Sequence, residues 1–250
     1  MFSPDLKISL ITVSFNAEST IERCIQSVLA QSFKNVEYII IDGASTDNTL
    51  QIIHKYKQHI QILVSEPDKG IYDAMNKGIK MATGDIIGML NTDDYFADAQ
   101  VLKDIAGQFT VNNADITYGD LDFVNNKGGI VRKWRSGKYF SGSFNWGWMP
   151  PHPTFYCKKE LFQQFGYYSL GYGTAADYEL MLRFMHKNGL KASYLNKVII
   201  KMKTGGASNK NLNSRVKGLL FDLKAMRNNG IKAPLLGLIF KPLRKISQYF

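Results

Sequence analysis

At 250 residues, with 45% hydrophobic and 21% charged side chains, the chain has the make-up of a folded protein with a sizeable core, which excludes a disordered or fibrous chain. No apolar stretch approaches the ~20 residues needed to cross a bilayer, and MFSPDLK leads into a strand rather than a signal peptide, so a cytoplasmic protein is expected. The net charge of +10 is segregated: residues 1–200 carry 20 Lys/Arg against 20 Asp/Glu, whereas residues 201–250 carry 11 against Asp222 alone.

Strand-like and helix-like runs alternate through the first 120 residues, which predicts a βαβ architecture. KISLITVSF (7–15) reads as the first strand, followed by a capping-box pattern, Ser19-Thr20-Ile21-Glu22, and a helix with Ile21, Cys24, Ile25, Val28 and Leu29 at helical spacing. VEYIIID (36–42) is the second strand, TDNTLQIIHKYK a helix starting near Asp47, and IQILVSE (60–66) the third strand, ended by Pro67. GIYDAMNKGIKMATG (70–84) reads as a helix closed by Gly84, before the strand Ile86-Ile87-Gly88-Met89-Leu90. A helix near 98–111, the strand ADITYGDLDFV and a turn at Asn125-Asn126-Lys127-Gly128-Gly129 into IVRKWR follow. Segment 136–176, rich in Gly, Pro and aromatics, suggests long loops around a pocket; a helix at 177–189 and the strand KASYLNKVIIKMK complete the pattern. Cys24 and Cys157 sit in apolar runs and suggest neither a disulfide nor a metal framework.

In a parallel sheet the strand ends lie on one edge, where ligands collect. That edge gathers Ser14, Phe15 and Asn16, then Asp42, then Glu66-Pro67-Asp68, then Asn91-Thr92-Asp93-Asp94. Such a row of carboxylates suits a ligand with N–H and O–H donors and a phosphate bridged by a divalent cation, and would repel a bare phosphate. An Asp-rich loop capping the next helix is the alternative reading of Asp93 and Asp94. The first βα loop, Thr12–Glu18, holds no glycine and no GxxxxGK[ST] occurs, which argues against dehydrogenase and P-loop chemistry; the four histidines lack zinc-ligand spacing.

In this order and spacing, ITVSFNAESTIERCIQSVLAQSF, YIIIDGASTDNT, EPDKGIYDAMNKGIKMATGDIIGMLNTDD and AADYELMLRF resemble the family 2 glycosyltransferases over most of residues 7–208. These are inverting enzymes of the GT-A fold, and the likeness is to those of bacterial surface-polysaccharide synthesis, O-antigen and exopolysaccharide. The resemblance implies an α/β fold of GT-A type: a Rossmann-like, mostly parallel sheet flanked by helices. It implies a catalytic domain at 1–208, with a nucleotide-binding half (1–120) and an acceptor and catalytic half (121–208), ahead of a basic amphipathic helical tail at 209–250.

It also implies roles. Val13, Ser14 and Phe15 with Asp42 would frame the nucleobase, Asp42 accepting from a base N–H, and Asp68, Lys69 and Gly70 would line the nucleotide pocket. Asp93 would touch the ribose or the metal and Asp94 would hold Mg²⁺ or Mn²⁺ on the diphosphate, Asn91 or Thr92 replacing the first acid of the DxD-type motif. Asp177 falls on the catalytic base, an N-cap being its alternative. His152, Trp148 and Ser208, the last in TGGAS (204–208), would contact acceptor or donor; structural roles are the alternatives.

The expected partners are a nucleotide-sugar donor, a UDP-sugar first, a glycan or lipid-linked sugar acceptor, and an anionic membrane surface met by the tail; nucleic acid is not among them. Leu235, Leu236, Ile239, Leu243 and Ile246 alternate with Lys241, Arg244 and Lys245, which suits lying on the inner face of a membrane, packing on the catalytic domain being the alternative. A non-catalytic nucleotide-sugar or glycan-binding module is the competing function. A nucleotidyltransferase would want a Gly-rich phosphate loop that is missing.

Overall fold

The computed structural model describes residues 6–204 and 212–249. Its described residues form one sheet of nine strands. β1 (Ile8–Ser14), β2 (Val36–Asp42), β3 (Ile62–Ser65) and β4 (Ile86–Met89) run parallel in the order β3-β2-β1-β4. β8 (Tyr156–Lys158) joins antiparallel to β4, β6 (Ile116–Val124) antiparallel to β8, and β9 (Ala192–Lys203) parallel to β6. β5 (Asp94–Phe96) closes the far edge on β9, and β7 (Ile130–Trp134) forms the expected hairpin with β6.

The two-residue period of the strands explains why both faces are covered. Ile8 and Leu10 of β1 and Tyr38 and Ile40 of β2 face one core, filled by Ile21, Cys24 and Ile25 of α1 (Ile21–Leu29) and Ile105 of α4 (Val101–Val111). Ile11, Val13, Ile39 and Ile41 face the other, against Ala74, Met75 and Ile79 of α3 (Ile71–Met81). α2 (Thr49–His54) and α5 (Glu160–Phe165) are single short turns, and α6 (Ala176–Met181) continues in wider turns through Lys187. Both cysteines are free and buried.

Local signals were resolved differently in four places. No capping box forms: Thr20 caps α1 without a side-chain bond, and Glu22 instead accepts the Tyr56 hydroxyl at 2.9 Å. α3 ends at Met81, and Gly84 serves close approach, since a Cβ there would lie 2.7 Å from Ser9 Oγ. β5 escapes a sequence reading because three residues carry too little pattern. In the C-terminal segment, α7 (Leu212–Asn228) and the turn before α8 (Pro234–Leu243) place Ala225, Met226 and Ile231 in the second core, the packing that was one of the two expectations for it.

Glu37 stitches β1 to the end of α3. It accepts Ser9 Oγ at 2.5 Å, Thr83 N at 2.7 Å and Thr83 Oγ1 at 2.6 Å, with Lys7 Nζ at 3.3 Å. Burial alone would raise its carboxyl, yet these bonds hold it down at about 2 against an ordinary 4.5. A depressed carboxylate contributes stability above its unfolded pKa and loses it as pH falls through the folded one. Glu37→Gln is therefore expected to cost on the order of 2 kcal/mol in urea melts at neutral pH, a deficit that shrinks between pH ~4.5 and ~2. A deficit that does not change with pH would assign the effect to packing.

Candidate active site

The carboxyl ends of β1, β2, β3 and β4 open on one crevice. β4 pairs with β1 only as far as Ile11↔Met89, so Thr12, Val13 and Ser14 run past their neighbour. Asp42, at the end of β2, is fully buried and organises the loops around it. Its Oδ1 accepts Ser14 Oγ (2.8 Å) and Ser45 Oγ (2.5 Å), and its Oδ2 accepts Ser45 N (2.9 Å) and Ser65 Oγ (2.8 Å). Four bonds engage both oxygens, so Asp42 ties the ends of β1, β2 and β3 together beneath the site.

The accessible groups lie just above. Phe15 is 63% exposed, held out by a loop in which Asn16, in left-handed backbone, accepts Thr46 N at 2.9 Å. A Cβ on Gly43 would stand 2.7 Å from Asp68 Oδ2 and 3.4 Å from the Phe15 ring, so a side chain there would push the Asp68 carboxylate aside. The exposed Phe15 ring and the Asp68 carboxylate thus both flank Gly43. Asp68 Oδ1 also accepts Gly70 N (2.7 Å), which turns the chain into α3 at φ 109°, and the exposed Lys69 donates its backbone N–H to Asp73 (3.0 Å). Val13 differs from expectation in that its side chain is core, leaving its main chain to face a ligand.

At the end of β4 the two adjacent acids part company. β5 alternates, so Asp94 shares a face with Phe96, which is buried in the core beneath α1 and α4. Asp94 is wholly enclosed, with Oδ2 taking the Asn91 amide at 3.1 Å and Oδ1 unpartnered. Burial, with Asp93 next to it, pushes its carboxyl well above the usual range. Asp93 is only half-buried; burial raises it too, while Arg23 and Lys203 pull it back. Of the two acids expected at a metal, Asp93 is the one left partly accessible and Asp94 is enclosed. Among the described residues no three His, Cys, Asp or Glu side chains converge on a metal position. One accessible carboxylate does fit a divalent ion that takes most of its ligands from phosphate and water.

The register of β8 against β4 (Gly88↔Tyr156) carries the residues before β8 toward the carboxyl end of β4, and His152–Thr154 form a tight turn there. His152 Nε2 meets the Tyr168 hydroxyl at 2.8 Å. Burial pushes the imidazole below its ordinary value and the negative charge of Asp177 opposes this. Asp177 lies in the first turn of α6, half-buried, its Oδ1 accepting Tyr178 N at 2.8 Å; Ala175 occupies the N-cap, so Asp177 does not cap the helix. Its charge also reaches Tyr72 and Tyr168, whose hydroxyls burial has already raised. A carboxylate and an imidazole thus lie close enough for the charge of one to act on the other.

Two supports here escaped sequence reading. Asn76 of α3 holds Tyr168 from both sides, accepting its N–H at 3.0 Å and donating to its carbonyl at 2.8 Å. Arg183 donates to the carbonyls of Phe165, Gly166 (2.7 Å) and Tyr167 (2.8 Å) and is itself paired with buried Glu179 at 2.9 Å. Helical spacing of Glu179 and Arg183 was the one available signal. Trp148, expected to meet sugar, is core: 4% exposed, donating Nε1–H to Ser136 O at 2.7 Å and packed edge-on to Tyr118 and Phe144. Ser208 lies outside the described residues. Tyr168→Phe keeps the ring against Tyr72 but frees His152, and is expected to lower kcat roughly five- to tenfold, the worth of one hydrogen bond, with donor KM unchanged. An unaltered kcat would make the bond incidental.

Comparison with known proteins yields a consistent picture. Residues 9–172 match the family described as Glycosyl transferase family 2; Asp177 lies just beyond that span. An uncharacterized glycosyltransferase of Mycobacterium tuberculosis is 34% identical over 192 residues, 70% of this chain and 68% of its own. The Escherichia coli UDP-Glc:alpha-D-GlcNAc-diphosphoundecaprenol beta-1,3-glucosyltransferase WfgD is 35% identical over 123 residues, 49% of this chain and 48% of its own. In fold, the chain is similar to S. aureus TarS 1-349 in complex with UDP-GlcNAc: TM-score 0.74 at 20% identity, covering 97% of this chain and 73% of that one. The α/β sheet with flanking helices is of the GT-A type.

Proposed function

Since the chain belongs to glycosyl transferase family 2 and is a glycosyltransferase, we propose that it moves a sugar from a UDP-sugar to a hydroxyl of a lipid-linked glycan, inverting the anomeric carbon. The observation that carries this reading is Asp177, a half-buried carboxylate whose charge acts on His152 and of which only Oδ1 is engaged, by the Tyr178 N–H. An inverting displacement needs one such group, to take the proton of the acceptor hydroxyl as it attacks. Phe15 stacks on the nucleobase, and Asp68 accepts its N–H in the place first expected of Asp42. His152, neutral and fixed by Tyr168, orients a sugar hydroxyl.

Asp93 would hold Mg²⁺ or Mn²⁺ together with the donor's diphosphate. When bound, the ion supplies positive charge to the departing diphosphate. Support for UDP and for a diphosphate-linked lipid acceptor comes from what the name of WfgD says of that enzyme. No helix among the described residues is long and apolar enough to cross a membrane, and a lipid-linked acceptor would put the enzyme peripherally on the inner, cytoplasmic face.

A panel of UDP-, GDP- and dTDP-sugars, scored by thermal stabilisation and by slow release of free sugar with and without Mn²⁺, tests the reading. UDP-sugars should stabilise the protein and be turned over. Stabilisation without turnover by any donor would favour the binding module, and preference for another nucleotide would overturn the UDP assignment.

A further inference from the structure

We propose that the outward face of α8 is a docking surface for anionic lipid headgroups and the acyl chains beneath them. It deepens the function above by naming the lipid class, and rests on that function only for the acceptor. The inner face of α8 is fixed in place. Gly237 is buried, Phe240 meets the Trp146 ring edge-on at 5.4 Å, and Lys241 Nζ pairs with Asp222 at 2.8 Å while lying 3.6 Å from the Tyr178 ring centroid. With that side spoken for, the opposite stripe is left to solvent: Leu235 (62% exposed), Leu236 (48%), Ile239 (57%) and Leu243 (49%), continued by Ile246 (57%).

Five aliphatic side chains in one helical stripe make a patch that soluble surfaces avoid without a reason. Its surroundings point to the occupant. Lys232, Arg244 and Lys245 are exposed around it, no acidic residue follows Asp222, and the charge of Asp222 is already met by Lys241. An apolar stripe with Lys232, Arg244 and Lys245 exposed along it fits an interface of negative headgroups over acyl chains. A second copy fits poorly, because two such sets of cations would repel. Lys241 also rests on Tyr178, so α8 packs against the start of the helix that carries Asp177.

Sedimentation of the full chain with vesicles of phosphatidylcholine, with and without phosphatidylglycerol, tests this directly. The protein is expected to bind the anionic vesicles and be released by salt. The exposed-face variant L236Q/I239Q/L243Q should bind at least about tenfold more weakly, and K232E/K245E more weakly by on the order of fivefold per charge removed, with melting temperature and UDP binding unchanged in both. Equal binding to neutral vesicles, undiminished binding of either variant, no binding at all, or a wild-type dimer that the triple variant splits would each overturn the proposal. Failure of the glycosyltransfer reading would appear separately, in the donor panel.

Discussion

Asp177→Asn is expected to cut kcat by roughly 10²–10⁴, the usual cost of removing a general base, with donor affinity nearly unchanged. The substitution keeps size and shape, and an Asn oxygen still accepts the Tyr178 N–H now taken at 2.8 Å, so α6 should start as before. A second readout separates lost chemistry from lost structure. Asp177 opposes the downward push of burial on His152, so its neutralisation should lower the His152 pKa further, visible by NMR titration of the folded variant. A variant that melts normally and turns over normally would remove Asp177 from the mechanism.

The second large effect is a contrast between neighbours. Asp93→Asn is expected to reduce turnover by roughly 10²-fold or more, because in the proposed function it removes the half-buried carboxylate that would hold the divalent ion on the departing diphosphate. Asp94→Asn should leave turnover within a few-fold: its side chain is wholly enclosed, an Asn oxygen can keep the Asn91 bond, and the amide nitrogen falls where an oxygen now lacks a partner. Stabilisation by UDP with Mn²⁺ should be lost in the first variant and kept in the second. The reverse ranking would mean that the turn reorganises on donor binding and that Asp94 is the ligand.

These contrasts mark where sequence reading stops. Apolar runs such as LITV and YIII, punctuated by Asp, Pro and Gly, made β1, β2 and β4 legible, along with the edge on which they end. What a strand end presents was not legible, because it depends on partners far along the chain. Asp42 looks like a ligand group until serines from three separate segments, at 14, 45 and 65, are seen to occupy its oxygens. Asp94 looks equivalent to Asp93 until a three-residue strand pairs with β9 and turns it inward. Tyr168 and Asn76 meet across 92 residues from a loop without periodicity, so no local pattern could announce them. The tail's amphipathic stripe was visible, but both of its faces carry apolar residues, and only packing decides that Phe240 goes in and Ile239 stays out.

Inversion by a single base is tested most directly by proton NMR of the first sugar released when the enzyme slowly hydrolyses an α-linked UDP-sugar. The β anomer should appear first and then mutarotate toward equilibrium, and Asp177→Asn should abolish its release. Initial release of the α anomer would contradict inversion and, with it, the role assigned to Asp177.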